Sequence, residues 1–125
     1  MKEFQLTVQN EPGSFAKVAA ALADAGINVE VAAGMGRRGE GLIRLVADEP
    51  EKARRVLRAL DVSFEEKEVL VVDIASHARG LADVLDLLAA ADVNVESVYA
   101  AVGRHKLVLA VDKIEQARQA LQVRS

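Results

Sequence analysis

The chain repeats the segment EPGSFAKVAAALADAGINVE (residues 11–30) in the similar form HARGLADVLDLLAAADVNVE (residues 77–96). At an offset of 66 residues, eight of these twenty positions are identical, and the triplet Asn-Val-Glu closes both segments. Further along the chain the offset falls to 64, and we expect the glycine-rich stretch 34–41 to absorb the difference as a loop. Chance similarity would not preserve both the apolar spacing and the position of this loop, so we infer an internal repeat.

Each copy of the repeat predicts strands and helices in the same order. Residues 3–9 alternate between apolar and polar side chains, which is typical of a half-buried strand. The apolar residues from Phe15 to Leu22 recur at helical spacing, and Gly26 is a good residue just beyond a helix end. The rest of the first copy predicts strands at 27–31 and 42–46, a helix carrying Ala53, Val56, Leu57 and Leu60, and a strand at 62–64. The second copy predicts strand 69–74, a helix carrying Leu81, Val84, Leu85 and Leu88, strands near 93–100 and 106–111, and a helix carrying Ile114, Ala117 and Leu121.

This β-α-β-β-α-β order predicts an α+β fold of two ferredoxin-like units, residues 1–67 and 68–125, each with helices on one face of an antiparallel sheet. Right-handed crossovers give the strand order 4-1-3-2. We expect the two sheets to pair side by side, because a unit of about 60 residues is marginally stable alone. The second unit lacks a full fourth strand, since only residues 123–125 follow its last helix. A partner chain, or the segment 62–67, is then expected to cover the edge of strand 69–74.

Composition excludes several classes of protein. The chain has 125 residues and a formal net charge of −3, which argues against a protein that binds nucleic acid through clustered cations. It has no cysteine, and therefore no thiol nucleophile or disulfide framework. We find no apolar block typical of a signal peptide and no apolar run of the roughly 20 residues that a membrane span needs. We therefore expect a soluble, cytoplasmic protein with no nucleic-acid or membrane partner.

The start of the first copy resembles an ACT domain. The run Asn10-Glu11-Pro12-Gly13-Ser14-Phe15 precedes a helix that ends in Gly26-Ile27-Asn28-Val29, and the likeness extends over essentially the whole chain as a tandem pair. ACT domains are ferredoxin-like regulatory modules that bind amino acids and other small metabolites, often in association with enzymes of amino-acid metabolism. In this family, two domains commonly join through their second strands, and the ligand lies at that seam.

The resemblance implies a ligand-binding loop over residues 10–15, with Asn10 and Asn28 contacting the amine and carboxylate of the ligand. The residues alone favour the same place, because Gly13 at the turn allows close approach. The N–H groups near Ser14, Phe15 and Ala16 have no acceptor within the helix, so a carboxylate is a suitable ligand group there.

Two sites are conceivable: loop 10–15 with Asn94 across the seam, and loop 76–81, which includes Ser76 and His77, with Asn28. We favour the first site, because Arg79 replaces the close-approach glycine in the second, although Arg79 could itself neutralise a carboxylate.

Three other patterns in the sequence give weaker indications of a functional site. The run Gly34-x-Gly36-x-x-Gly39 matches a dinucleotide-binding fingerprint, but a strand rather than a helix is predicted to follow, so we interpret it as a hairpin loop that could act as a lid. His77 and His105 lack the spacing of metal ligands, and a pH-sensitive ligand contact at His77 stays open. Tyr99 could line the seam or pack in the core.

The sequence therefore predicts a non-catalytic regulatory protein, without metal or cofactor, that binds an amino acid or a similar small zwitterion. We expect a homodimer and leave open a partner enzyme. An assembly or regulatory subunit that acts on such an enzyme without a ligand is the alternative. An enzyme is disfavoured because no pair of titratable residues recurs at a spacing that suggests acid–base chemistry.

Overall fold

A computed structural model of the chain describes residues 1–74, 79–101 and 106–122. The chain forms two compact units: an N-terminal unit, Lys2–Lys67, and a C-terminal unit, Glu68–Ser125 together with Met1. The elements of the first are β1 (Lys2–Gln9), α1 (Ser14–Asp24), β2 (Val29–Arg37), β3 (Glu40–Ala47), α2 (Pro50–Ala59) and β4 (Ser63–Glu68). Those of the second are β5 (Leu70–Asp73), α3 (Gly80–Ala90), β6 (Val95–Ala101), β7 (Lys106–Val111) and α4 (Ile114–Leu121). The predicted α+β class and order of elements are confirmed.

The N-terminal unit contains a four-stranded sheet in the order β2-β3-β1-β4, which confirms the predicted strand order. Strands β1 and β3 are antiparallel, with Gln9 opposite Glu40 at one end and Glu3 opposite Val46 at the other. The alternating apolar residues of β1 and β3 pack against the apolar faces of α1 and α2, because burial of those faces drives the association of sheet and helices. The buried residues of this core are Phe4, Leu6, Val18, Leu22, Ile27, Ile43, Leu45, Ala47, Ala53 and Leu57.

The glycine-rich stretch 34–41 is not a loop, so that prediction is wrong. Strand β2 continues to Arg37 and β3 begins at Glu40, and the two strands are joined by a tight turn at Arg38 and Gly39. Both turn residues have positive φ, 46° and 81°, as a type I′ hairpin turn requires. Because this turn matches the twist of paired strands, the hairpin continues to its tip and leaves no separate lid.

A carboxylate is buried in the N-terminal sheet. The side chain of Glu3 has no solvent exposure, and its Oε1 accepts hydrogen bonds from Gln5 Nε2 at 2.8 Å and from Arg44 Nη1 at 3.3 Å. Arg44 lies on β3 opposite Gln5, one strand away. A buried charge is costly unless it is paired and hydrogen-bonded, so these donors from β1 and β3 stabilise Glu3 in this position.

The C-terminal unit contains a three-stranded sheet in the order β5-β7-β6, without a fourth strand in the part of the chain that the structure describes. The expectation that the second unit lacks a full fourth strand is therefore confirmed. The suggestion that segment 62–67 covers the edge of β5 is wrong, because β4 lies beside β1 in the other sheet. The buried core of this unit consists of Leu70, Val72, Leu88, Val93, Leu107, Leu109, Val111 and Ala117.

An ion pair links α2 to β4 and makes the stability of the N-terminal unit pH-dependent. Arg54 Nε and Nη2 each donate to a carboxylate oxygen of Glu66 at 2.6 Å. These hydrogen bonds lower the pKa of Glu66 and raise the pKa of Arg54. Because the folded-state pKa of Glu66 is lowered, the pair stabilises fully above the pKa of an unfolded glutamate, about 4.3. This stabilisation is lost as the pH falls through the folded-state pKa of Glu66.

We therefore expect Glu66→Gln to lower the urea midpoint of unfolding at neutral pH. As the pH falls towards roughly 2, the midpoint of the variant should decline less steeply than that of the wild type. The curves of the wild type and the variant should converge in acid, where Glu66 is protonated in both states of the wild type. Glu65→Gln is the control, since it removes a carboxylate from the same strand and leaves the Arg54–Glu66 pair in place. A constant gap between wild type and Glu66→Gln at every pH would contradict this account.

Candidate functional site

The loop between β1 and α1 presents unused backbone donors. Gly13 precedes α1 with φ of 90°, and the position where a side chain would begin is open. The N–H of Lys17 donates to the Gly13 carbonyl at 2.9 Å, and the N–H of Ser14 donates to the Glu11 carbonyl at 3.2 Å. The N–H groups of Phe15 and Ala16 lie in this first turn, where no acceptor exists within the helix. They lie at the positive end of the helix dipole, which favours an anionic group.

Asn10 joins this loop to the β2–β3 hairpin. Its backbone N–H donates to the Gly39 carbonyl at 2.9 Å. Its side-chain amide lies over Gly36, where an added Cβ would be 2.7 Å from Asn10 Nδ2 and 2.9 Å from Oδ1. The missing side chain of Gly36 therefore leaves the space that the amide occupies, and the amide carries both a donor and an acceptor.

The Phe15 ring likewise occupies space left by two further glycines of the hairpin. A Cβ on Gly34 would be 3.0 Å from Phe15 Cε2, and a Cβ on Gly41 would be 2.6 Å from Phe15 Cε1. Phe15 is still 39% exposed, so part of this residue remains accessible. We call Gly34, Gly36 and Gly41 the glycine platform. This role was not predicted from the sequence, although the spacing of Gly34 and Gly36 by two residues is typical of one face of a strand.

Two cavities flank the loop within the N-terminal unit. The first, which we call the apolar groove, has a volume of about 440 Å³. It is lined by Phe15, Val18, Ala19, Leu22, Ala23, Ile27, Val29, Ala32, Ala33, Gly34, Ile43 and Leu45. The second, the polar cavity, has a volume of about 520 Å³. Glu11, Ser14 and Lys17 are among its lining residues. Of the predicted site residues, Phe15 thus lines the apolar groove, whereas Glu11 and Ser14 line the polar cavity. Pro12 is exposed in the same loop.

Asn28 and Asn94 occupy equivalent positions in the two units, and Asn28 lies at the opposite end of β2 from loop 10–15. The N–H of Asn28 donates to Asp48 Oδ1 at 3.1 Å, and that of Asn94 donates to Asp112 Oδ1 at 2.9 Å. Each asparagine carbonyl in turn accepts from the backbone N–H of the same aspartate, at 3.1 Å. Asn28 lies just before β2, and the other end of β2 is next to the loop. At the usual rise per residue of a strand, that end is about 26 Å from Asn28. The side chains of both asparagines are exposed, and a contribution across a seam stays a prediction.

The second candidate loop is described only in part. Ser76 and His77 lie outside the described residues, as does His105. Arg79 precedes α3 with φ of −88°, so this position does not need glycine. The Arg79 guanidinium lies 3.3 Å from Asp83 Oδ1 and 2.9 Å from Asp86 Oδ2 of its own helix. Its charge is therefore already engaged by acidic side chains of the chain itself.

The fold and the internal repeat agree with a comparison against protein families. Residues 1–124 match a single family, described as an ACT domain pair. The chain belongs to this family. The ACT resemblance expected from the sequence is thus confirmed. Comparison with curated proteins gave no significant match.

Solved structures resemble this ACT domain pair along nearly its whole length. Protein BT0572 from Bacteroides thetaiotaomicron is 21% identical with a TM-score of 0.90, over 97% of this chain and 85% of that one. The ligand-free regulatory subunit of aspartate kinase from Thermus thermophilus is 19% identical with a TM-score of 0.74, over 97% and 87%. The corresponding subunit from Thermus flavus is 20% identical with a TM-score of 0.69, over 97% and 88%. At these identities the likeness establishes the shared fold.

The described residues also bear on the other types of site considered from the sequence. Within residues 1–74, 79–101 and 106–122, no three His, Asp or Glu side chains are grouped so that they could hold a metal ion. Strand β3 follows Gly39 directly, whereas a dinucleotide-binding fingerprint requires a helix there. Tyr99 lies in β6 opposite Val108 and is half-buried. No helix in the described part of the chain is long and apolar enough to cross a membrane.

Proposed function

We propose that this ACT domain pair is a non-catalytic regulatory protein that binds an amino acid or a similar small zwitterion at loop 10–15. The observation that carries the proposal is the open backbone at Gly13, at the start of α1, where no side chain caps the first-turn N–H groups and in the same loop as Asn10. The structural likeness to regulatory subunits of aspartate kinase supports a regulatory role. A cytoplasmic location, a homodimer and a partner enzyme of amino-acid metabolism belong to the same proposal.

The chemistry of the loop suits a zwitterion. The N–H groups of Phe15 and Ala16 provide donors for a carboxylate, and the Asn10 amide oxygen provides an acceptor for an ammonium group. Hydrogen bonds to charged groups contribute about 1.5–3 kcal/mol each. A ligand that makes such bonds in only one arrangement of the protein would shift an equilibrium between arrangements by a comparable free energy. This shift would be the regulatory signal.

A ligand-independent assembly subunit is the second candidate function. The likeness to separate regulatory subunits, over most of the length of both chains, favours a polypeptide that acts on another protein. Such a subunit would need the fold and its surfaces, but not the open backbone at Gly13.

A thermal-shift screen with the twenty amino acids separates the two functions. A ligand that binds only the folded protein stabilises it by about 2.7 kcal/mol when present at 100 times its Kd. We therefore expect one amino acid, or a few related ones, to raise the melting temperature. Mass spectrometry of small molecules released when the purified protein is denatured should identify the same compound. A flat response at millimolar concentrations, with no released metabolite, would favour the assembly subunit.

Replacing Gly13 tests where the ligand binds, and the chain offers a matched control. Gly13 and Gly26 lie at opposite ends of α1, with φ of 90° and 75° and open space around both. A leucine at either position is strained by roughly 1–2 kcal/mol, because left-handed backbone is unfavourable for residues with a Cβ. We expect Gly13→Leu and Gly26→Leu to lower the melting temperature similarly.

Only Gly13→Leu places a side chain at the proposed site, so only this variant should lose the ligand-induced shift. Isothermal titration of both variants with the compound found in the screen measures the difference. Equal ligand affinity in the two variants would remove Gly13 from the site.

A further inference from the structure

The apolar groove has no polar side chain along its length. All twelve residues that line it are apolar, and the alanines and Gly34 on its walls are among the smallest side chains available. Its deepest residues, Val18, Leu22 and Leu45, are 3%, 1% and 2% exposed. By contrast, Ala19 on α1 and Ala32 on β2 are exposed. A space of this kind favours an apolar group, because a polar group would lose hydration there without gaining a hydrogen-bond partner from a side chain.

One end of the apolar groove reaches the proposed ligand loop. Phe15 and Gly34 belong to both the groove and the contacts around the glycine platform. The Asn10 amide lies over Gly36. Gly36 is on the same face of β2 as Gly34, about 7 Å further along the strand. The charged end of a small amphipathic ligand would therefore meet donors and acceptors at the loop, while its apolar end entered the groove.

The second copy of the repeat carries larger side chains at four of the corresponding positions. Ala32 is opposite Leu45 in the first sheet, and the equivalent Val98 is opposite Leu109 in the second, so the offset of 66 residues along β2 holds in three dimensions. The same offset places Leu85, Tyr99 and Ala100 at the positions of Ala19, Ala33 and Gly34. The fold therefore accepts bulk at these positions, and the small residues of the first copy are not a requirement of the fold.

We propose that the amino acid bound at loop 10–15 has an apolar side chain, which the apolar groove receives. This inference rests on the proposed function and specifies its ligand class. The small residues at Ala19, Ala32 and Gly34 keep the groove open in the N-terminal unit. The charged ends stay at the loop, because no side chain of the groove offers them a partner.

Pairs of amino acids with the same shape test the inference on the wild-type protein. Valine and threonine differ by a methyl and a hydroxyl group, and norleucine and ornithine differ by a terminal methyl and an ammonium group. Isothermal titration should show tighter binding of the apolar member of each pair by at least roughly tenfold, which corresponds to about 1.4 kcal/mol. Equal or tighter binding of threonine and ornithine would overturn the apolar ligand class and leave the proposed function standing. A lack of binding by every amino acid would refute the proposed function itself, and with it this inference.

Filling the groove tests its location. The double variant Ala19→Leu/Ala32→Val introduces the side chains that the second copy carries at the equivalent positions, and circular dichroism checks that it folds. We expect it to weaken binding of the preferred apolar amino acid by at least roughly tenfold. Ala20→Leu is the matched control, since Ala20 is exposed on α1 outside the groove, and it should bind as the wild type does.

Sedimentation of the same variants tests whether a second copy of the chain, rather than the ligand side chain, occupies the groove. We expect the double variant and the wild type to have the same oligomeric state. A double variant that loses self-association and keeps its ligand affinity would show that a second copy of the chain occupies the groove, and would overturn the inference.

Discussion

Replacing Phe4 with alanine should cost the protein about 3–5 kcal/mol of its free energy of unfolding. Phe4 is fully buried in β1, opposite Leu45, and its ring centroid lies 6.0 Å from that of Phe64 on β4 at an angle of 57°. The chain has only three phenylalanines, one tyrosine and no tryptophan, so this pair is an unusually large part of an otherwise aliphatic core. Native domains are stable by only about 5–15 kcal/mol, and a loss of this size would leave the variant close to unfolding.

Urea unfolding measures this loss, and Phe15→Ala is the matched control. Phe15 has the same side chain, but it is 39% exposed, so its removal should cost much less. Phe4→Leu keeps most of the buried volume and should fall between the two. If Phe4→Ala cost no more than Phe15→Ala, the packing described for β1 and β4 would be wrong.

The order of elements could be predicted from the sequence because apolar periodicity is a local property. Leu22 and Leu88 occupy equivalent positions in the repeat, were predicted on the buried faces of their helices, and are 1% and 0% exposed. The repeat added an independent check, since each copy had to give the same series of strands and helices. The strand order followed because right-handed crossovers leave few ways to connect them.

The glycine platform could not be predicted because a glycine has two uses that look alike in a sequence. It can supply a positive φ in a turn, as Gly39 does, or it can leave space for another side chain, as Gly34 and Gly41 do. The second use depends on a distant partner, here Phe15. The stretch 34–41 was therefore interpreted as a loop, although it continues two strands to a two-residue turn.

The burial of Glu3 shows a second limit of the sequence pattern. Alternation in β1 places Glu3 on the polar face, which is normally the exposed face of a half-buried strand. Its partner Arg44 is 41 residues away, and only the register of β1 against β3 brings the two side chains together. The candidate site has the same limit, because Asn10 and Phe15 were identified from their own segment, while the hairpin that supports them was not.

Replacing Gly41 with alanine should disrupt that support. The new Cβ would lie 2.6 Å from Phe15 Cε1 and 3.0 Å from Val8 Cγ2, which are too close without movement of the Phe15 ring. Because Phe15 is partly exposed, we expect its ring to turn away from the hairpin. This loss of packing should cost about 1–3 kcal/mol of stability, the usual range for overpacking a well-packed site. It should also weaken ligand binding, since Phe15 forms the end of the apolar groove nearest the loop.

A double-mutant cycle with Phe15→Ala tests whether that ring is the cause. Once the ring is absent, the main obstacle to the new methyl group is gone, and alanine is a better strand residue than glycine by roughly 0.5–1 kcal/mol. Gly41→Ala should therefore destabilise the wild type but be neutral or slightly stabilising in the Phe15→Ala background, with a coupling energy above about 1 kcal/mol. Equal costs in the two backgrounds would mean that Gly41 is required by the backbone of β3 alone. A strong coupling would instead show that the hairpin glycines serve to seat Phe15, and so link the least predictable segment of the chain to the proposed ligand site.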